Sequence, residues 1–170
     1  MTNSELVKEA FAALDGQNFD KFSSYLAKDY KLRGVTPTPL DRNQFIAFTR
    51  AMAAAFPDIK RNVTVLWEGK DGEVRGEMQV TGTHQGALAL PFIPVVEATN
   101  KTVRLPKDRW ICEIKNGKAV SFTVESAQDG GVLGLLKQIG REDLADCLRT
   151  KGADCRTIEE STGAGATPNY

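Results

Sequence analysis

The chain has 170 residues, which suits one domain with a short extension, and at that size a core and a cavity can form without staples. Hydrophobic residues make up 41% and charged residues 26%, as in an ordinary soluble globular protein. Lys plus Arg and Asp plus Glu both total 22, and neither the zero net charge nor any Lys/Arg run marks a nucleic-acid partner.

The opening MTNSELVKEAF lacks a basic stretch followed by an apolar run, so no signal peptide is expected. No segment reaches the roughly 18 apolar residues of a membrane span, so no membrane partner is expected either. Cys112, Cys147 and Cys155 show no CxxC spacing and there is one histidine, a poor set for zinc, so no metal site is expected. A Cys147–Cys155 bridge is possible, though nothing else in the sequence supports it. A reducing, cytoplasmic setting is the default.

Helix one is expected to start at Thr2, with Glu5 completing a capping box and Gly16 ending it. Leu6, Ala10, Phe11 and Leu14 line its inner face. A second short helix follows Asn18, with Phe19, Phe22, Tyr25 and Leu26 at helical spacing. DYKLRGV reads as a strand. TPTPLD delivers Asp41 as a cap, with Gln44 three positions on. Phe45, Phe48, Met52 and Phe56 then stripe a third helix that ends before Pro57.

From there the period becomes two. RNVTVLWEG is a strand, KDG a turn, and EVRGEMQVTGTHQ one long strand. On it Val74, Gly76, Met78, Val80, Gly82 and His84 share one face. GALALPFIPVVEATN is a long apolar loop interrupted by two prolines. Asn116-Gly117 joins KTVRLPKDRWICEIK to KAVSFTVES as a hairpin, with a bulge or edge expected at Pro106. GGVLGLLKQIG and REDLADCLRT are closing helices, and STGAGATPNY reads as disordered. This predicts a domain over residues 1–149 and a disordered tail over 150–170. Helices followed by antiparallel strands predict an α+β fold, with a curved antiparallel sheet wrapped around the N-terminal helices and an apolar hollow at one end.

That order resembles the nuclear transport factor 2-like superfamily, a cone-shaped α+β barrel, and within it the SnoaL-like polyketide cyclases, also called ester cyclases. The likeness runs over residues 4–145 and rests on FPD at Phe56–Asp58, GTHQG at Gly82–Gly86, NGK at Asn116–Lys118 and GLLKQIG at Gly134–Gly140. The resemblance implies an enzyme without cofactor or metal, closing a ring in a small apolar carbonyl or polyketide-ester compound by acid/base chemistry. Family members place a Trp on the last strand and an acid four positions later. Counted from Gly117-Lys118, those places hold Thr123 and Ala127; counted back from Gln138-Ile139-Gly140, the acid's place is Gly131.

The candidate catalytic residues are His84, Asp129 and Glu125. His84 sits on the apolar strand face and could hold a carbonyl or enolate oxygen; the alternative is a pocket-rim histidine bonded to backbone. Asp129 could act as acid/base in an apolar surround, or cap the following helix. Glu125 lies near the same strand end, but its alternation turns it to solvent. Asp108 shares a face with Trp110, Cys112 and Ile114, as a pocket carboxylate or a strand-end ion pair. Tyr30 and Tyr25 are phenol donors or core. Phe48, Met52, Met78 and Trp110 complete the candidate ligand-binding set. The ALALPFIPVV loop must bury itself, either as a lid over a pocket for a small apolar molecule or in a homodimer interface. Two non-enzyme readings therefore stand beside the enzyme: a small-molecule binder on the same fold and a dimeric interaction module.

Overall fold

Side-chain caps decide where the helices begin. In a computed structural model, which describes residues 1–152 and 154–157, the Thr2 hydroxyl accepts from Glu5 N–H while Glu5 reaches back to Thr2 N–H. That capping box opens α1 (Asn3–Asp15). Asn18 caps α2 (Phe19–Ser24), which is shorter than its apolar spacing suggested, because Leu26 already belongs to β1 (Leu26–Arg33). After the two-residue β2 (Leu40–Asp41), Asp41 and Gln44 form a second capping box, opening α3 (Arg42–Ala55).

The remaining strands are β3 (Thr64–Glu68), β4 (Glu73–Met78), β5 (Thr81–Thr83), β6 (Thr102–Arg104), β7 (Asp108–Lys115) and β8 (Lys118–Glu125). Six strands form one sheet in the order β2-β1-β8-β7-β4-β3, and β5 pairs with β6 separately. Asn116 (φ 53°) and Gly117 (φ 74°) make the β7–β8 turn, the positive-φ pair that a two-residue hairpin requires.

Two expectations need correction. The sheet is mixed, because β1 runs parallel to β8 while its other pairs are antiparallel. The long strand expected over 73–85 is two strands, since Gln79 and Val80 leave the ladder. There Gln79 N–H bonds to Arg61 O and Leu105 N–H to Val80 O, both at 2.9 Å. Leu105 to Lys107, including Pro106, form the matching break between β6 and β7. The chain bends on both sides of one corner.

The helices α4 (Gly131–Gln138) and α5 (Glu142–Lys151) close the fold. The packed chain passes the expected boundary at residue 149. α5 runs to Lys151, Cys155 is buried, and its N–H donates to Phe92 O. Cys155 is disulfide-bonded to Cys147, so the two are not the free thiols of the default reading. The stretch STGAGATPNY lies outside the described residues.

Two apolar cores result. One joins α1, α2 and the start of α3 to the sheet through Leu6, Phe22, Phe45, Trp110 and Phe122. The other joins the end of α3, the apolar loop, β6, α4 and α5 through Phe56, Leu88, Ile93, Leu136 and Leu144. Val35 and Phe48 pack against both.

Candidate functional site

A cavity of about 90 Å³ lies at the seam of the two cores. Leu32, Phe45 and Phe122 wall it from the first core, and Met52, Val132 and Leu135 from the second. Three lining residues bring polar atoms: Thr49, Arg61 and Asp108. The Thr49 hydroxyl is committed, donating to Ile46 O at 2.8 Å. Arg61 is buried and pairs with Asp15 at 2.9 Å. Burial pulls its pKa down, opposed by the Asp15 carboxylate; a guanidinium nonetheless stays charged in a protein.

Asp108 is the first residue of β7, and strand alternation turns it inward with Trp110, Cys112 and Ile114. It is only 5% exposed. Oδ1 accepts from Ala127 N–H at 2.8 Å, while Oδ2 meets no protein donor among the described residues. Burial raises the carboxyl's pKa above the ordinary aspartate value, and the Ala127 hydrogen bond opposes this. Gly130 holds the other side of the turn. A Cβ there would stand 2.9 Å from Asp108 Oδ1 and 3.0 Å from Ala127 O. The Ala127–Gly130 turn is thus shaped around one carboxyl oxygen and leaves the other unpaired.

The other candidates scatter. Phe48, Met52 and Met78 line the same cavity. Tyr30 does not; it is buried in the first core, stacked on Phe45 at 5.4 Å. Trp110 is stacked on Phe122 at 5.2 Å, with no partner for Nε1 among the described residues. Glu125 is exposed at the end of β8. Asp129 is exposed and pairs with Lys137 at 3.1 Å. It does not cap α4 either: Gly130 stands at the cap with no side-chain hydrogen bond. Neither acid lines the cavity.

His84 is fully buried and also lies outside the cavity lining. Its ring stacks on Phe56 at 5.1 Å. Thr99 N–H donates to Nδ1 at 3.2 Å, and the Thr99 hydroxyl lies 2.9 Å from the same nitrogen. An Nδ1 that accepts from a backbone N–H carries no proton, so the proton sits on Nε2, which is buried with no close hydrogen-bond partner among the described residues. Burial lowers the imidazole's pKa. The surrounding motifs explain the placement. Asp58 accepts from Thr83 N–H at 2.7 Å and from the Thr83 hydroxyl at 2.9 Å. Gln85 and Gly86 N–H both donate to Ala55 O. A Cβ on Gly86 would stand 2.2 Å from Ala54 O, which is why the close approach needs glycine. FPD and GTHQG therefore form a buckle between the end of α3 and β5. His84 fastens the far end of the apolar loop to it.

Arg61 and Thr49 were not singled out by pattern. Arg61 stands at the head of an ordinary strand run, and its partner Asp15 is 46 positions away, a pairing with no local signature. Thr49 was legible in principle, since it follows Phe45 by one helical turn. Among the described residues, no group of three or more His, Cys, Asp and Glu side chains could hold a metal ion.

Helices packed on a mixed sheet with a seam cavity define an α+β fold of the nuclear transport factor 2-like class. Three solved structures share it. A candidate polyketide cyclase from Xanthomonas campestris pv. campestris is 17% identical, covers 81% of this chain and 96% of its own, and superposes with a TM-score of 0.65. AclR, a candidate hydroxylase from Streptomyces galilaeus, is 18% identical over 82% of this chain and 96% of its own, with a TM-score of 0.63. IdmH, a candidate polyketide cyclase from Streptomyces antibioticus, is 18% identical over 82% and 99%, with a TM-score of 0.62. At these identities the likeness is one of fold. The family model of the SnoaL-like polyketide cyclases matches residues 5–124, and the chain belongs to that family. No curated protein matches it. No helix among the described residues is long and apolar enough to cross a membrane.

Proposed function

We propose that the protein is a cyclase/isomerase-type enzyme acting on a small apolar carbonyl or polyketide-ester compound, with Asp108 as its acid/base. The observation that carries this reading is the chemistry of the seam cavity. Among the described residues lining it, Asp108 is the carboxylate, buried and with one oxygen unpaired. A carboxylate whose pKa is raised by an apolar surround is a better base near neutrality than an ordinary one.

In the proposed step, ionised Asp108 takes the proton from the carbon beside a carbonyl, and the electron pair of that C–H bond moves into the enolate. The enolate carbon attacks a second carbonyl of the same molecule, forming the C–C bond and breaking the carbonyl π bond. Asp108 then returns its proton to the new alkoxide. Arg61 supplies the cavity's positive charge near the developing oxyanion. His84 acts through the apolar loop that it fastens, as a positioning residue. Asp129 and Glu125 take no part in this scheme. The places that the family gives its acid hold Ala127 or Gly131, and Gly131 itself lines the cavity. The carboxyl is in effect supplied from the neighbouring strand.

The same substitution favours a second reading, a non-catalytic binder of small apolar molecules. The two separate by α-deuteration of 2-tetralone in D₂O, followed by proton NMR. The enzyme reading expects acceleration by the wild type and a loss of roughly 10²-fold or more in Asp108→Asn. Equal rates for the two proteins would leave the binder. A cytoplasmic location would keep Cys147 and Cys155 reduced, so the redox state of this pair in cells reports the compartment.

A further inference from the structure

We infer that the ligand site has two compartments. An outer hollow holds the apolar bulk of a neutral carbonyl compound, and Phe48 is the partition past which the carbonyl end reaches Asp108. The inference rests on the reading of the inner cavity given above, but its dye-binding test does not require turnover.

The inner cavity, at about 90 Å³, is well below the roughly 300–1,000 Å³ of most small-molecule sites. Beside it lies a hollow of about 560 Å³ between α3, the loop before α3 and the apolar loop. Pro37, Leu40, Ala51, Leu90 and Phe92 wall it, and Phe48 is the lining residue that it shares with the inner cavity. Helical spacing explains the sharing. Phe45, Thr49 and Met52 face the inner cavity, while Gln44, Ala47 and Ala51 face the outer hollow. Phe48 stands on the boundary between the two faces, half-buried and packed against both cores. Phe48 is therefore the side chain that would have to turn to join the compartments.

The lining also defines the ligand's chemistry. No described residue around the hollow carries a charge. Its polar groups are largely committed: the Thr36 hydroxyl donates to Thr38 O at 2.6 Å, and Gln44 Oε1 accepts from Asp41 N–H at 2.9 Å. Val95, on the same wall, is 56% exposed, an apolar surface that a ligand would cover. An ionic or sugar-like compound would lose hydration here without replacement. A neutral ring-bearing or acyl compound would not.

The probe is Nile red, a neutral apolar fluorophore, titrated by its emission. Wild type is expected to bind it, and Ala51→Trp, which fills the hollow, to weaken binding at least tenfold. If Ala51→Trp fails to fold by circular dichroism, Ala47→Trp, on the exposed side of the same wall, carries the test. Phe48→Ala should raise the rate of 2-tetralone α-deuteration relative to that of acetone at least threefold, because acetone is small enough not to need the partition moved. Undiminished Nile red binding in the Trp variant, or an unchanged rate ratio in Phe48→Ala, overturns the inference. Loss of exchange in Asp108→Asn alongside undiminished dye binding in the Trp variant would leave the acid/base reading standing and remove only the outer compartment. Unchanged exchange in Asp108→Asn would remove the acid/base reading, with the dye result still deciding the hollow.

Discussion

Gly86→Ala tests whether GTHQG is a structural buckle. An added Cβ would stand 2.2 Å from Ala54 O and 3.2 Å from the Ala54 carbonyl carbon. The atom it meets is helix backbone, which cannot swing aside as a side chain can. The loop must lift away from α3, and the Gln85 and Gly86 N–H bonds to Ala55 O, at 3.0 and 3.1 Å, go with it. Two such bonds are worth about 1–3 kcal/mol net, and forcing a methyl into a packed contact costs about 1–3 kcal/mol more. The expected loss is about 2–6 kcal/mol, out of a total stability on the order of 5–15 kcal/mol. Each kcal/mol lowers Tm by roughly 2–4 °C in a chain of this size. Urea unfolding at neutral pH reads it directly. Gly82→Ala serves as the mild comparison, since its Cβ would meet Phe56 Cβ at 3.3 Å, and should cost less than about 1 kcal/mol. Equal urea midpoints for Gly86→Ala and wild type would refute the buckle.

Three further outcomes are expected. Burial holds the His84 pKa in the fold below its unfolded value, so this group's contribution to stability is complete above about pH 6.5 and is lost as pH falls below it. His84→Asn keeps an acceptor for Thr99 N–H without a titrating ring, so the difference in urea midpoint between pH 7 and pH 5 should shrink; an unchanged difference would show that another group governs it. Gly130→Ala, pressing on Asp108 Oδ1 and Ala127 O, should slow 2-tetralone exchange at least tenfold with a Tm change of only a few degrees; wild-type exchange would mean that the turn does not hold the carboxyl. The Cys147–Cys155 bond closes a short loop with a sequence separation of 8, worth about 2.5 kcal/mol by chain entropy. Dithiothreitol, or Ser at both positions, should lower the urea midpoint accordingly, and an unmoved midpoint would mean that the bond contributes nothing to the fold.

The features legible in the sequence were those governed by neighbours in the chain. Thr2 with Glu5, Asp41 with Gln44, and Asn116-Gly117 each act over a few residues, and all three formed as expected. The parallel pairing of β1 with β8 joins segments some ninety positions apart, and no local pattern encodes it. The break at Gln79 and Val80 was hidden because the alternation continues through it. Gln79 stays polar on the outer phase while its side chain donates to Leu105 O. At the site, strand phase correctly turned His84 and Asp108 inward. What phase could not say is what covers each of them. Phe56 and Thr99 seal His84 away from the cavity, whereas the Ala127–Gly130 turn leaves one oxygen of Asp108 unpaired beside it. Arg61 reached the cavity through an ion pair with Asp15 that only the packing of α1 against the sheet creates.

The most direct test of the account is the titration of the Asp108 carboxyl by ¹³C NMR, assigned with Asp108→Asn, beside the pH dependence of 2-tetralone exchange. The account predicts a carboxyl pKa above the ordinary aspartate value of about 3.9, with the exchange rate rising through that same pKa. A carboxyl that titrates at or below the ordinary value, or an exchange rate indifferent to it, would contradict the assignment of Asp108 as the acid/base.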